Sequence, residues 1–329
     1  MTQRTTACLI FNPVAGQSDP ENDLALIRSH LEPEIDLDIR LTSEELDADT
    51  LASEAIAQGA KTIIASGGDG TLSAAANALV GTNIPLGIIS RGTANAFAAA
   101  LDLPDTIDAA CKTILGGATR PVDAALCNGL PMVLLAGIGF EAQTVERADR
   151  QAKKRFGMLA YVMAGLQQLR ELSSFTAEIE TEDKVITVTA SAVTVANAAP
   201  PTSILAQGPA GVVFDDGLLD ITVVSPVSRA GAIAASYHLL QTALNENSAA
   251  ERDDIGYLRA KRVIIRTNPL QKVVVDGEII GNTPIDVECV PGGLTIFVPE
   301  SAAPDAVIEK LEGLPNLTVE SKAVAGFEE

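Results

Sequence analysis

The stretch SGGDGT, at residues 66–71, lies between a strand-like run and a helix-like run and holds three glycines and one aspartate. A glycine allows positive φ angles and lets the backbone approach a ligand closely. The helix that follows directs its first N–H groups back at the turn, and such groups attract anions. This turn therefore suits an anion site, although a single turn of this kind is more often a plain connection between a strand and a helix.

Two further turns repeat the arrangement. SRGTANAF, at residues 90–97, joins a strand to a helix through a glycine, with Thr93 as the predicted N-cap. NPVAG, at residues 12–16, closes the first strand. In a parallel sheet the three turns meet at the carboxyl edge, where α/β proteins bind their ligands. Together they predict a polyphosphate site rather than three plain connections.

The means of holding a nucleotide at this edge are restricted. The sequence has no GxxxxGK[ST] phosphate loop and no GxGxxG at the first turn. Backbone amides and hydroxyls would therefore bind the phosphates, and carboxylates such as Asp69 and Asp123 would bring Mg²⁺. A carboxylate repels a phosphate unless a metal or a substrate hydroxyl lies between them, which gives Asp69 a function. His30 and His238 both lie in helical patterns, so we expect no histidine-based mechanism.

The elements that must position these residues divide the chain into two parts with different predicted secondary structure. Residues 1–120 alternate strand-like and helix-like segments, which predicts a parallel sheet covered on both faces. After about residue 125 strand-like runs with turn signals dominate and predict an antiparallel sandwich or barrel. Helical stretches are predicted over 143–172 and 229–244, and a short helix over 304–314 is expected to return to the first domain. The predicted division is 1–127, 128–300 and 301–329.

The composition excludes several classes of function. The 329 residues carry a formal net charge of −20, which argues against a general affinity for nucleic acid or for anionic membranes. The acidic excess is either a solubilising surface or an adaptation to salt, and both interpretations stay open. The four cysteines, Cys8, Cys111, Cys127 and Cys289, form no CxxC pair. They are expected to be buried free thiols in a reducing compartment.

No targeting signal or membrane span is predicted. The N-terminal residues lack the charged and apolar regions of a signal peptide. No window reaches the roughly 18 apolar residues of a transmembrane helix. We expect a cytoplasmic protein, which would have to visit a membrane surface transiently if it acts on lipid.

An ordered set of motifs carries a family resemblance. GGDGT followed by PLGIISRGTANAFA, with NPVAG upstream and VVVDGEII near the end, resembles the diacylglycerol/sphingosine lipid kinase family in its soluble bacterial form. GGDG alone is also found in NAD kinases and phosphofructokinases, whereas the ordered set is specific. The resemblance implies an N-terminal α/β domain like that of phosphofructokinase and NAD kinase, an antiparallel sandwich-like C-terminal domain, and an active site in the cleft between them. It also implies ATP and Mg²⁺ as cofactors and transfer of the γ-phosphate to a lipid hydroxyl.

The same resemblance assigns roles to individual residues. The residues that would line the nucleotide phosphates are Asn12, Gly67, Gly68, Gly70, Thr71, Gly92, Thr93 and Asn95, and Thr42 matches a nucleotide-contacting threonine. Asp69 and Asp123 would belong to a magnesium–water–carboxylate network. A structural Mg²⁺ would be held by the side chain of Asp216 and the carbonyls of Val213 and Leu218, although a plain hairpin explains this stretch as well.

The implied catalytic residues come from both halves of the chain. Asp276 and Glu278 would reach into the cleft from the second domain. Either Asp69 or Asp276 would act as the general base on the acceptor hydroxyl, and we favour Asp276. The competing interpretation of VVVDGEII is a simple hairpin, because Asp-Gly between two β runs is a common turn.

Two departures from the family pattern occur, and the first bears on the substrate. Ala96 stands where many bacterial diacylglycerol kinases have aspartate, as it does in sphingosine-kinase-like members. Ser90 and Arg91 replace a commoner Pro-x pair before the glycine. The acceptor lipid therefore stays open. Two alternatives remain: an NAD kinase-like enzyme with a soluble substrate, and a catalytically weak homologue that binds nucleotide or lipid.

One basic segment is a candidate for membrane contact. Residues 146–166 carry five basic side chains followed by an apolar stripe. This pattern fits either an interfacial helix or a solvated helix with one packed face. The expected partner is a lipid at a membrane surface, bound peripherally and transiently, and no nucleic acid is expected. Dimerisation through the β domain stays open, since no residue pattern argues for it.

Overall fold

The computed structural model describes residues 5–93, 95–139, 174–200, 212–225 and 255–299. Three predicted segments lie outside these described residues: the helical stretch over 143–172 with its basic segment, the helix over 229–244 that contains His238, and the helix over 304–314. In the described part of the chain no helix is both long enough and apolar enough to cross a membrane.

The first half of the chain alternates strands and helices as predicted. Its elements are β1 (Thr5–Phe11), α1 (Pro20–Leu31), β2 (Ile35–Leu41), α2 (Ala48–Ala57), β3 (Ile63–Gly67), α3 (Asp69–Asn77), β4 (Leu86–Ser90), α4 (Ala96–Ala100) and α5 (Ile107–Gly116). The four strands pair in parallel in the order β2-β1-β3-β4. β3 and β4 are buried along their whole length, as expected for parallel strands covered on both faces.

Helices cover this parallel sheet on both sides. Successive side chains of a strand point to opposite faces. Ile63 of β3 packs in one cluster with Leu72 of α3 and Phe97 of α4, whereas Ile64 packs in another with Ile27 of α1 and Ile114 of α5. The sheet is therefore the middle of three layers, and the loops that leave its carboxyl edge run between the helices.

The second half is built of strands. They are β5 (Thr119–Cys127), β6 (Leu130–Met132), β7 (Leu135–Gly139), β8 (Phe175–Glu180), β9 (Val185–Ala190), β10 (Ala192–Ala196), β11 (Leu219–Val224), β12 (Ile255–Ala260), β13 (Arg262–Asn268), β14 (Lys272–Val275), β15 (Glu278–Asn282) and β16 (Ile285–Phe297). Six of them form an antiparallel sheet in the order β12-β11-β10-β7-β14-β15. A hydrophobic cluster that includes Ile138, Val195 and Val263 lies between the two sheets. The predicted sandwich-like domain is confirmed.

One long strand joins the two halves into a common sheet. β16 pairs antiparallel with β13 and β5, and at Ile296 it pairs in parallel with Leu86 of β4. Its register shifts between Val290 and Leu294. The parallel strands and the antiparallel strands β13, β8 and β9 therefore belong to one sheet of ten strands. The two domains share a continuous backbone ladder, so their contact is a permanent part of the fold.

Two predictions about local structure have different outcomes. The four cysteines are free and buried, as expected. Thr93, however, is not the N-cap of α4: it is exposed, and Asn95 occupies the cap position with φ of 49°. Asparagine tolerates this left-handed conformation better than a β-branched residue does. The carboxylate of Asp69 accepts a hydrogen bond from the first turn of the helix, at Phe97, so the cap acceptor comes from another turn.

Buried polar side chains hold the segments around the junction together. Oδ2 of Asp123 accepts a hydrogen bond from the N–H of Gly217 at 2.6 Å, and Oδ1 accepts one from Gly292 at 2.8 Å. Nδ2 of Asn197 donates to the carbonyls of Asp123 and Val133, both at 3.0 Å. Asp123 thus connects β5, the loop before β11 and the bend of β16, and in this position its carboxylate serves the fold.

We expect Asp123→Asn to lower the free energy of unfolding by about 1–3 kcal/mol, because an amide nitrogen at this buried position would face the N–H of Gly217 or Gly292 and leave both facing donors unpaired. The measurement is urea unfolding in EDTA, with Asp36→Asn, an exposed position on β2, as the matched control that stays within about 0.5 kcal/mol. A loss of stability that appears only when Mg²⁺ is added would show instead that Asp123 is a metal ligand.

Candidate active site

The three glycine-containing turns meet at the carboxyl edge of the parallel sheet. Backbone hydrogen bonds join them: the N–H of Asn12 donates to Ser66 at 2.9 Å, and the N–H of Arg91 donates to Gly67 at 2.7 Å. Thr42, at the end of β2, donates its N–H to Phe11 at 3.0 Å. The structure therefore brings together the residues that the sequence assigned to the phosphates, at the edge where the sequence placed them.

Two of the glycines are needed because the backbone there is crowded. A Cβ on Gly67 would lie 2.6 Å from Cβ of Thr71, and a Cβ on Gly92 would lie 3.0 Å from Cα of Gly68. Gly70 is different, because a Cβ there would meet nothing within 4 Å. The first two positions require glycine for packing, whereas Gly70 keeps a space open at the start of α3.

The beginning of α3 has the properties of an anion site. Its N-cap is Gly68, so no side chain accepts a hydrogen bond from the first turn. The uncapped N–H groups and the positive end of the helix dipole attract a negative group. Nδ2 of Asn12 donates to Oγ1 of Thr71 at 2.8 Å, which fixes these two polar side chains beside the helix start. The donors available at this helix start are backbone N–H groups and the side chains of Asn12 and Thr71.

Asp69 connects the turn 66–71, in which it lies, with the turn 90–97. Its Oδ1 accepts a hydrogen bond from the N–H of Phe97 at 3.0 Å. Burial raises the pKa of this carboxyl group, and the backbone N–H groups of Phe97 and Ala96 oppose that rise. A carboxylate oxygen has two lone pairs, so Asp69 can accept this bond and still ligate a metal or hydrogen-bond a hydroxyl. Ala96 contributes only its backbone here, and the family's additional carboxylate is missing.

Asp276 occupies a tight hairpin between β14 and β15. Asp276 and Gly277 have φ values of 48° and 89°, the left-handed pair of a type I′ turn. Its Oδ2 accepts the N–H of Val133 at 2.8 Å, and Oδ1 accepts those of Leu134 and Leu135 at 2.9 and 3.0 Å. The hairpin interpretation is correct, and the carboxylate in addition ties the turn to the segment 133–135.

The electrostatics of Asp276 favour a strong base. Burial raises the pKa of the carboxyl group, the three backbone N–H groups oppose this, and the nearby charge of Glu278 adds to it. The net pKa lies above the ordinary value of an aspartate. Glu278 itself is exposed on the edge strand β15.

One hydrophobic cluster connects the two candidate bases. Val133 and Leu134, whose N–H groups bind Asp276, have side chains in the same buried cluster as Leu72 and Phe97. Phe97 in turn donates its N–H to Asp69. The segment 133–135, which binds the carboxylate of Asp276, therefore packs directly on α3 and α4, the helices that follow the turns 66–71 and 90–97.

The structural metal site at Asp216, Val213 and Leu218 stays a prediction, and the structure shows a basic side chain beside it. Oδ1 of Asp216 accepts the N–H of Leu218 at 3.0 Å, and Oδ2 pairs with Nη1 of Arg259 at 3.0 Å. Arg259 also pairs with the buried Asp220 at 2.7 Å. The guanidinium group of Arg259 thus places a positive charge beside Asp216. This ion pair helps to hold the loop 213–218, which begins at Val213.

Magnesium at the turns stays a prediction, with Asp69 and Asp123 as its ligands. The part of the chain that the structure describes has no group of three or more histidine, cysteine, aspartate or glutamate side chains that could cage a metal. Mg²⁺ in nucleotide sites needs no such cage, since one or two carboxylates and the phosphates suffice. Asp123 accepts N–H groups of Gly217 and Gly292, and Asp69 accepts that of Phe97, so both predicted ligands keep lone pairs for a metal.

Two buried polar residues near the site are not among the residues that the motifs predict. They are Arg91, which the motifs mark only as a departure from the family pattern, and Asn197. Both are almost fully buried. The signal for Arg91 is its position: a charged residue directly after the apolar run of β4 and directly before a glycine turn must find a buried partner.

Comparison with known families covers most of the chain. Residues 6–127 match the diacylglycerol kinase catalytic domain. Residues 135–298 match the C-terminal NAD kinase beta sandwich-like domain of YegS. Two crystal structures of Bacillus anthracis proteins described as diacylglycerol kinases resemble this chain, with TM-scores of 0.77 and 0.71 at 30% and 27% sequence identity. Each match covers 92% of this chain and 100% of the chain in the crystal structure.

Curated relatives agree with these matches. An uncharacterized protein of Synechocystis is 50% identical over 305 residues, which is 89% of this chain and 70% of the relative. A protein of Xanthomonas oryzae named "Probable lipid kinase YegS-like" is 32% identical over 80% of this chain and 87% of its own length. The diacylglycerol kinase of Bacillus subtilis is 29% identical over 84% and 91%. Such coverage, across both halves and in the motifs that form the edge of the sheet, makes this chain a member of the YegS-like diacylglycerol kinase family of lipid kinases.

Proposed function

We propose that this protein transfers the γ-phosphate of ATP to the hydroxyl group of a lipid. The observation that carries the proposal is the convergence of the three turns at the uncapped start of α3, with Asn12 and Thr71 hydrogen-bonded beside it. Phosphoryl transfer depends mainly on alignment and charge neutralisation. Backbone N–H groups at a helix start and two polar side chains serve that purpose.

In this proposal the phosphates lie over Gly68, Gly70 and Gly92. Gly70 leaves open space above the first turn of α3, and the contact between Gly68 and Gly92 forms the floor. Asn12 and Thr71 donate hydrogen bonds to phosphate oxygens, and Thr93 and Asn95 of the turn 90–97 do so as well. Thr42 lies at the end of β2 and contacts the nucleotide from the side. Asp69 would hold Mg²⁺, which neutralises charge on the phosphates when it is bound.

Asp276 is proposed as the general base that accepts the proton of the lipid hydroxyl. A carboxylate offers about four lone-pair positions, and three of them are used by Val133, Leu134 and Leu135. The remaining position on Oδ2 is free to accept one more hydrogen bond. Glu278, two residues further on, contributes negative charge that keeps the pKa of Asp276 raised. Asp69 is the competing candidate for the base.

The lipid acceptor is favoured over a soluble one by the family membership and by the surroundings of Glu278. Ile279 and Ile280 follow it on the edge strand β15 and are 44% and 36% exposed. Exposed apolar side chains on the strand that follows the Asp276 turn suit an apolar acceptor. An assay with radiolabelled ATP tests the choice: extracted lipids and NAD are offered in parallel, and labelling of NAD without any lipid product would overturn the proposal.

We expect Asp276→Asn to lower the lipid kinase rate by about 10²–10⁴-fold, the usual contribution of a general base. Because the base acts only when ionised, kcat/KM of the wild type falls as the pH drops through the raised pKa of Asp276. This acid limb lies above the ordinary aspartate pKa and disappears from the residual activity of the variant. The measurement is the initial rate between pH 4 and about pH 8.

Asp183→Asn, in the exposed turn between β8 and β9, is the matched control and keeps both the rate and the acid limb. If Asp276→Asn keeps the limb and loses less than about tenfold in rate, while Asp69→Asn abolishes both, then Asp69 is the base.

Gly70→Ala separates binding from folding. Since the added methyl group meets nothing within 4 Å and alanine favours a helix by about 1 kcal/mol over glycine, we expect an unchanged or higher Tm. We also expect KM for ATP to rise at least about tenfold, because the methyl group occupies the proposed path of the phosphates. Gly67→Ala should instead lower the Tm, because its Cβ would overlap Thr71. An unchanged KM for ATP in Gly70→Ala would show that the phosphates do not lie over the first turn of α3.

A further inference from the structure

Arg91 has a buried side chain in the wall of the site. It directly follows β4, and its side chain is 1% exposed. Nε donates to Oδ2 of Asp23 at 2.8 Å, and Nη1 donates to the carbonyl of Asn12 at 2.8 Å. The guanidinium plane lies over the ring of Phe11, 4.2 Å from its centroid. One side chain thus contacts the end of β1, the turn after it and the first turns of α1.

The loop over residues 12–16 rests on Arg91. A Cβ on Gly16 would lie 2.5 Å from the carbonyl oxygen of Arg91, so the two backbones touch. Ser18, two residues after the loop, donates to the same oxygen of Asp23 that Arg91 uses, at 2.5 Å. The loop is therefore fastened at its start through Asn12 and just beyond its end through Ser18 and Asp23.

The contacts of Arg91 continue into the other turns. Its own N–H donates to Gly67, and Asn12, whose carbonyl it holds, donates its side chain to Thr71. Arg91 thus reaches all three turns, directly or through one residue. Among the hydrogen bonds and ion pairs of the described residues, it is the one basic side chain that contacts them.

Stability alone is a weak reason for this arrangement. A buried ion pair roughly offsets its desolvation cost and can often be replaced by apolar residues without loss. Nη2 of Arg91 has no hydrogen-bond partner among the described residues, which adds to the cost. What the guanidinium supplies is geometry, because its planar fork holds two acceptors at fixed angles.

We propose that Arg91 is the positioning residue of the three turns 12–16, 66–71 and 90–97, which we call the phosphate turns. Arg91 holds the loop 12–16 against the turn 90–97 and so fixes the positions of Asn12 and Thr71. The proposal rests on the proposed function for its consequence, namely ATP binding, but the locking of the loop does not depend on it. Lysine cannot replace Arg91, since a single ammonium group does not present the fork that reaches both Asp23 and Asn12.

The test compares Arg91→Lys and Arg91→Met with the wild type. Hydrogen exchange of the backbone is followed by mass spectrometry, and KM for ATP and kcat are measured separately. We expect exchange of the peptide that covers residues 12–18 to rise at least about tenfold in both variants, with the β half unchanged. KM for ATP should rise about tenfold or more, and KM for the lipid should stay within twofold.

Arg262→Lys is the matched control, because Arg262 makes a two-pronged ion pair with Asp286 far along the chain, in the β half. It should change neither exchange over 12–18 nor KM for ATP. Unchanged exchange over 12–18 in a folded Arg91→Met or Arg91→Lys would overturn the proposal, and so would an increase spread evenly over the chain. If ATP fails to bind the wild type, the proposed function fails while the exchange result still decides the role of Arg91.

Discussion

Parallel hydrogen bonding between β1, β3 and β4 is the constraint on which the site depends. It brings the ends of three strands to one edge, so that turns separated by more than fifty residues lie side by side. Neighbouring strands are only about 4.7–4.9 Å apart, so the turns need glycine where they touch, as at Gly92, whose Cβ would lie 3.0 Å from Cα of Gly68. The beginning of α3 then faces the same edge without a side-chain cap.

Buried carboxylates carry the contacts between the segments, and most are balanced by backbone N–H groups. Asp69 binds Phe97, Asp123 binds Gly217 and Gly292, and Asp276 binds the segment 133–135. An ionised group accepts stronger hydrogen bonds than a neutral one. In a chain with 43 acidic and 23 basic residues, this use of the backbone lets carboxylates be buried without an equal number of basic side chains.

Among the described residues, an arginine pairs with a buried aspartate at two places. Arg259 pairs with Asp216 and Asp220, where the family resemblance implied a magnesium ion. Arg91 pairs with Asp23 under the phosphate turns, and Ser90 and Arg91 together stand where the family more often has a Pro-x pair. A guanidinium group fixes angles as well as charge, so each arginine makes a local geometry more rigid.

Local patterns determined much of this protein. Periodicity and glycine turns predicted the α/β half, the β half and the edge at which Asn12, Thr71 and Asp69 meet, because these features depend on neighbours within one strand–turn–helix unit. The pairing of β16 with both halves, the engagement of Asp123 with Gly217 and Gly292, and the cap of α4 by Asp69 were decided only by the tertiary structure. Each of these contacts joins residues far apart in the chain, and the same carboxylate suits a metal, a backbone N–H or a guanidinium equally well until the fold selects its neighbour.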